Sequence, residues 1–97
     1  MKRSELIQAL AERHGLTRKA AGEVVHEVID AVAEALCDGQ RVEIRGFGTL
    51  RARHYPGYVG RNPRTGERVV VERKVLPAFR PARGLMHRVN RVAIEEG

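Results

Sequence analysis

The 97-residue sequence predicts an α+β fold, with its first two helices preceding a sheet and a short helix closing it. Three observations predict it. Apolar residues recur at helical spacing up to Leu36. From Gln40 onward they alternate with polar residues, as in half-buried strands. Glycines and prolines then cluster between two strand-like runs. A chain of this length buries only roughly 60% of the surface its unfolded form exposes, which predicts one domain with a thin stability margin.

The first helix is expected where Leu6, Ile7, Leu10 and Ala11 share one face. Gly15 stops it, and Thr17 is placed to cap the next helix. That second helix carries Ala21, Val24, Val25, Val28, Ile29, Val32, Ala33 and Leu36, and Gly39 ends it after Asp38. Roughly 20 residues make a helix about 30 Å long. Its apolar stripe is too wide for one short helix to cover, so part of it is expected to face a second chain.

Val42, Glu43, Ile44 and Arg45 alternate as a strand does, and Gly46 and Gly48 bracket Phe47 in a tight turn. A second strand over Thr49–His54 puts its arginines on one face. Residues 55–68 hold three of the ten glycines and two of the four prolines, and offer little to a core. Two readings fit them: a disordered loop, or a long β-hairpin projecting from the body. The flanks favour the hairpin, because Val69, Val70 and Val71, then Val75 and Leu76, resume a strand. An isolated two-stranded ribbon is marginally stable in water, so the tip is expected to be mobile until it meets a partner. Pro77 and Pro81 flank Phe79, and Pro81 suits the start of a last helix with Leu85, Met86, Val89, Val92 and Ala93 on one side. The expected organisation is a helical base over 1–39, a sheet over 40–81 with an arm near 53–74, and a helix over 82–94.

Charge separates the two halves. The net charge is +6. Residues 1–40 hold 5 basic and 7 acidic side chains, and residues 41–97 hold 13 basic and 5 acidic. Glu95 and Glu96 are two of those five acids, so residues 41–94 carry +10. Fifteen of the 18 basic residues are arginine, whose flat fork of donors suits phosphate oxygens and base edges. This asymmetry predicts a polyanion-binding face.

Other classes are disfavoured. No apolar run is long enough to cross a bilayer, and charges at Glu5, Glu12 and Arg13 leave no signal-peptide core, so a cytoplasmic protein is expected. The single Cys37 cannot form an intrachain disulfide. It reads as a small, partly buried residue near a helix end, where the helix dipole discourages a thiolate. The chain has no phosphate-cradling glycine loop, no paired-histidine helix, and one serine, Ser4, without a nucleophile pattern. His14, His26, His54 and His87 are scattered. No enzymatic activity, metal or cofactor is expected.

The hairpin tip, Gly60-Arg61-Asn62-Pro63-Arg64-Thr65-Gly66, sets a proline between two arginines. By composition Pro63 fits an ordinary turn or a wedge between stacked bases. Tyr55 and Tyr58, on one of the arms, fit packing across the ribbon or contact with sugars and bases.

That tip, with Ile44-Arg45-Gly46-Phe47-Gly48-Thr49-Leu50 before it and Pro77-Ala78-Phe79-Arg80-Pro81 after it, resembles the bacterial HU/integration host factor family of histone-like proteins. The resemblance covers almost the whole chain, including Lys2 to Leu10, Ala20 to Gly22 and the last helix. It implies an intertwined dimer with a helical base, a small antiparallel β-sheet saddle and two β-arms that wrap double-stranded DNA through the minor groove. By the same resemblance Pro63 is the intercalating wedge, with Arg61, Asn62 and Arg64 around it. Arg45, Arg53, Tyr55 and Tyr58 join the DNA-binding set, and Lys74, Arg80, Arg83 and Arg3 contact phosphates, which positions the protein without reading sequence. Val28, Val32, Leu36, Phe47, Leu50 and Phe79 fill the dimer core.

The sequence departs from the family at several points. Tyr55 and Tyr58 stand where arginine is usual, which removes two positive charges from the inner arm and puts its groove contacts in question. Leu50 replaces the usual phenylalanine, Ala82-Arg83 replaces Gly-Lys, and the chain runs several residues further, to Gly97. Glu43-Ile44-Arg45 resembles the β-type branch of integration host factor more than HU, and there the matching Glu and Arg help select sites. Two roles follow as expectations, a nucleoid-associated homodimer that bends DNA and a subunit that needs a homologous partner; charge alone also leaves open an RNA binder. The last lacks the aromatic-rich sheet of common single-strand RNA modules.

Overall fold

The structure is a computed structural model that describes residues 1–96; Gly97, the last residue of the expected domain, lies outside them. The elements in order are α1 (Arg3–His14), α2 (Arg18–Cys37), β1 (Val42–Ile44), β2 (Gly48–Tyr55), β3 (Tyr58–Arg61), β4 (Arg68–Val71), β5 (Lys74–Pro81) and α3 (Arg83–Glu96). They fall into two compact units, one over Met1–Ala35 and a second that begins at Leu36.

In the first unit, local chemistry sets the helix ends. Gly15 takes the left-handed conformation, φ 61°, and its N–H bonds the Ala11 carbonyl. The Leu16 N–H reaches the same carbonyl at 3.0 Å. The Thr17 hydroxyl accepts the Ala20 N–H at 3.1 Å, the cap expected of it. The two helices meet beside Gly22, where a Cβ would lie in ordinary van der Waals contact, 3.9 Å from the Ile7 methyl. The buried side chains are small: Ala11, Ala21 and Val25 are the buried hydrophobic residues among those described.

The second unit is built on one long hairpin. β1, β2 and β5 form a three-stranded sheet in that order, and β3 and β4 form a two-stranded ribbon. In the sheet, β2 pairs antiparallel with β5 from Gly48↔Pro81 to Tyr55↔Lys74. In the ribbon, Tyr58↔Val71 to Arg61↔Arg68 continue the same register. The ladder is interrupted only at Pro56-Gly57 and Glu72-Arg73. Proline lacks the N–H a ladder needs. Gly57 has no room for a side chain, because a Cβ would lie 2.9 Å from the Val71 carbonyl and 3.0 Å from the Arg73 nitrogen.

The turn before β2 is equally specific. Phe47 N–H bonds the Ile44 carbonyl at 3.0 Å, and Gly46 at φ 82° supplies the positive φ that a type II turn requires. Gly48, buried, packs against the Phe79 ring and the Arg80 carbonyl.

The structure departs from expectation at Pro81, at the end of the last helix and at Cys37. Pro77 lies inside β5, opposite Ala52, which an edge strand tolerates because its outer N–H positions need no partner. Pro81 ends β5 and does not start α3, which begins at Arg83 and runs to Glu96, beyond the expected end at 94. Cys37, the last residue of α2, is exposed and not partly buried. The residues expected to fill a dimer core are open in the single chain, as a surface awaiting a second chain would be: Val28 is 58%, Phe47 46% and Phe79 45% exposed, and Val32, Leu36 and Leu50 are intermediate.

Candidate nucleic-acid interface

Alternation along paired strands sorts the three-stranded sheet into two faces. Cross-strand partners share a face, so the register places Thr49, Arg51, Arg53 and Tyr55 of β2 with Lys74, Leu76, Ala78 and Arg80 of β5. Glu43 of β1 joins them opposite Thr49. The other face carries Val42, Ile44, Leu50, Ala52, His54, Val75, Pro77 and Phe79. The sheet is therefore basic on one side and mostly apolar on the other. On the apolar side Phe47, from the turn, meets Phe79 with ring centroids 5.4 Å apart and planes at 46°. Leu50 lies directly opposite Phe79 in the ladder.

The basic side opens into a cleft of about 530 Å³ lined by Arg41, Glu43, Arg45, Arg51 and Arg80 among others. One carboxylate stands among four guanidinium groups. It pairs with Arg41 at 3.4 Å, and both side chains are about two-thirds exposed, so the pair contributes little to stability. Uncompensated arginines on a rigid sheet raise the local potential and favour an anionic partner.

The ribbon ends in a tip whose polar side chains are used by the turn itself. Asn62 N–H donates to the Glu67 carbonyl at 2.9 Å, and Gly66 N–H returns to the Asn62 carbonyl at 2.7 Å. The Asn62 side-chain oxygen accepts the Arg64 N–H at 2.9 Å, and the Thr65 hydroxyl accepts the Glu67 N–H at 3.2 Å. Gly66 adopts φ 74°. Asn62 is thus a turn-builder as well as a candidate contact. Pro63 sits at the apex, exposed, between the exposed Arg61 and Arg64. The Arg61 guanidinium donates to the Gly66 carbonyl at 3.3 Å. It also lies opposite Arg68, and like charges facing across a ladder destabilise it unless an anion intervenes.

The remaining expected contacts are placed as follows. Arg45 occupies the first central position of the β1–β2 turn and is exposed. Tyr58, 64% exposed, lies on β3 with its ring running back toward Gly60. Arg83 is the first residue of α3, following an Ala82 N–H bonded to the Phe47 carbonyl at 2.9 Å. Arg3 belongs to the helical unit, at the start of α1, where its guanidinium reaches His26 Nδ1 at 3.0 Å. The contact set expected from the sequence omits Arg41, Arg51 and Arg68, although alternation already puts Arg51 on one face with Arg53. Strict alternation from Arg53 and Glu43 would have found the first two, and the hairpin register the third.

Among the described residues, no group of His, Cys, Asp and Glu side chains is placed to hold a metal ion. No described helix is long and apolar enough to cross a membrane.

Comparison with known proteins agrees with this geometry. The family model described as "Bacterial DNA-binding protein" matches residues 1–90. The chain is 45% identical over 91 residues to integration host factor subunit beta of Herminiimonas arsenicoxydans, covering 93% of this chain and 90% of that protein. It is 46% identical over 96 residues to integration host factor subunit beta of Paraburkholderia phytofirmans, covering 98% and 90%. Among solved structures it is similar to HU of Anabaena in a cocrystal with DNA, with a TM-score of 0.81, 31% identity, and coverage of 92% and 97%. It is also similar to HU from Thermotoga maritima, with a TM-score of 0.65, 25% identity, and coverage of 92% and 98%.

Proposed function

Since this chain belongs to the bacterial DNA-binding protein family, that of HU and integration host factor, we propose that it binds and bends double-stranded DNA as an architectural dimer. The family is one of architectural proteins and not of enzymes. The observation that carries the reading is the continuous hairpin from a basic sheet face to an exposed proline between arginines.

Two chains pair so that the apolar surfaces left open on each are covered. In the helical unit this is the Val28 and Val32 side of α2. In the second unit it is the face bearing Phe47, Leu50 and Phe79, together with Leu36. The basic sheet face then receives the duplex, with Arg45, Arg53, Lys74, Arg80 and Arg83 on phosphates. In the helical unit, Arg3 offers a further phosphate contact. Each arm follows the minor groove, where Arg61 and Arg64 meet the negative potential and Pro63 inserts between base pairs. Inserting a rigid ring unstacks one step, and the kink lets more backbone reach the basic face. Tyr58 lies against sugars or bases on the way to the tip. Such a protein works on the nucleoid, in the bacterial cytoplasm.

A second reading has support in Glu43-Ile44-Arg45 and in the similarity to β subunits: the chain pairs with a homologous subunit and bends DNA at selected sites.

Energy transfer between dyes on the two ends of a duplex of about 35 base pairs, far shorter than the DNA persistence length, tests the proposal. The chain alone should raise transfer, and salt should suppress the rise because phosphate neutralisation releases counterions. Binding without added transfer would remove the bending role. Bending that appears only after a homologous subunit is added would establish the second reading.

A further inference from the structure

Two cations converge on one aromatic ring at the root of the arm. The Arg53 guanidinium carbon lies 5.2 Å from the Tyr55 ring centroid, and Lys74 Nζ lies 5.9 Å from it. The register explains the meeting. Lys74 is the direct cross-strand partner of Tyr55, and Arg53 precedes it by two residues on the same face. Tyr55↔Lys74 is also the last pair of the three-stranded sheet before the interruption at Pro56-Gly57. At Gly57 the backbones are too close for a Cβ, so the strand path beside the ring is tightly set.

We propose that Tyr55 is a positioning residue that holds Arg53 and Lys74 together as one two-cation phosphate-binding element at the arm root. The idea rests on the DNA-binding reading above and assigns Tyr55 a role other than direct groove contact. Two free cations on neighbouring positions repel each other and sample many rotamers. The negative face of the ring attracts both and restrains them before DNA arrives. A contact made by restrained side chains loses less entropy on binding. An arginine at this position would add a third like charge and no such surface. A leucine would keep the bulk and lose the attraction.

The salt dependence of duplex affinity reads the number of phosphates engaged, with a slope of about −0.9 per phosphate. Affinities of the wild-type chain, Tyr55→Phe and Tyr55→Leu are measured by anisotropy across a salt series. Tyr55→Phe should stay within about twofold of wild type with an unchanged slope, because the ring is kept. Tyr55→Leu should bind about tenfold more weakly, with a slope shallower by about 1 to 2. In a double-mutant cycle, Lys74→Met should cost less in the Tyr55→Leu background than in wild type. Additive losses, or Tyr55→Leu matching wild type in slope and affinity, would overturn the proposal. So would equal losses in Tyr55→Phe and Tyr55→Leu, which would assign the role to the hydroxyl. The DNA-free wild type provides a check that needs no variant: ring-current shifts on the Lys74 ε-protons and Arg53 δ-protons should be visible by NMR, and their absence sinks the idea. A wild-type chain with no salt-sensitive binding would instead refute the DNA-binding reading.

Discussion

At Gly48 one methyl group decides whether the sheet can close. A Cβ there would lie 2.5 Å from a Phe79 ring carbon and 2.6 Å from the Arg80 carbonyl. The ring can turn, but the carbonyl belongs to the β2–β5 ladder and cannot. Gly48→Ala is therefore expected to destabilise the protein by about 1–3 kcal/mol, the usual cost of overpacking a closed site. Urea unfolding measures it, and an unchanged midpoint would show that β5 shifts freely. Pro63 poses the opposite case, since it is exposed and supports no core. If it is a wedge, Pro63→Ala should lower end-to-end energy transfer on bound DNA far more than it lowers affinity. Equal transfer at saturation would leave Pro63 as a turn residue only. The tip's own hydrogen bonds, through Asn62 and Thr65, make the turn independent of that ring.

Among the elements, the β3–β4 ribbon has little to hold it beyond its own strand pairing. Val59 and Val70 face each other across it, yet remain 55% and 67% exposed. A two-stranded ribbon without a packed face is marginal in water. Amide hydrogens of Val69, Val70 and Val71 are thus expected to exchange rapidly in the free protein, near the low end of the local-stability range. Those of Leu50, Arg51 and Ala52 in the central strand should exchange far more slowly. DNA should slow the ribbon selectively. Uniform protection before DNA is added would mean that the arm is already rigid. The ribbon was legible as a hairpin because glycine and proline marked its bend while valines marked its return strand. The two-residue break at Pro56-Gly57 was not legible, since only the close approach of Gly57 to the Val71 carbonyl and the Arg73 nitrogen reveals why the ladder parts there.

At the scale of the whole molecule, the buried apolar residues among those described are few and small. Ala11, Ala21 and Val25 are buried, while Val28, Phe47 and Phe79 are about half exposed. Proteins of this family form dimers, so stability is expected to come from a second chain, with folding and association as one process. The thermal midpoint is expected to rise with protein concentration, and crosslinked or fused pairs should lose that dependence. A midpoint that stays constant over a hundredfold dilution, about 10²-fold in chain concentration, would argue for a self-sufficient monomer. The charge imbalance acts at this scale too. With +10 carried by residues 41–94, the sheet unit repels itself, and DNA binding relieves that repulsion as well as adding contacts.

Local rules made much of this readable from the residues alone. Helical spacing, the Thr17 cap, and Gly15 and Gly39 bounded the two helices; alternation and a tip motif marked the hairpin; and the arginine excess after residue 40 pointed to a polyanion. All of these depend on neighbours within a few positions in the chain. What depended on residues far apart in sequence was not readable there. The strand register decides that Lys74 and Arg80 join Arg51 and Arg53 on one face and that Arg61 opposes Arg68, and the folded side chains bring Arg53 and Lys74 to the Tyr55 ring. Pro77 is part of an edge strand, where its missing N–H is not needed. The sequence by itself determined the elements and the sign of the partner, since propensity and charge are properties of short stretches. Only the tertiary structure decided which cations stand together and which apolar faces remain open, since pairing distant strands is what brings those side chains to one side of a sheet.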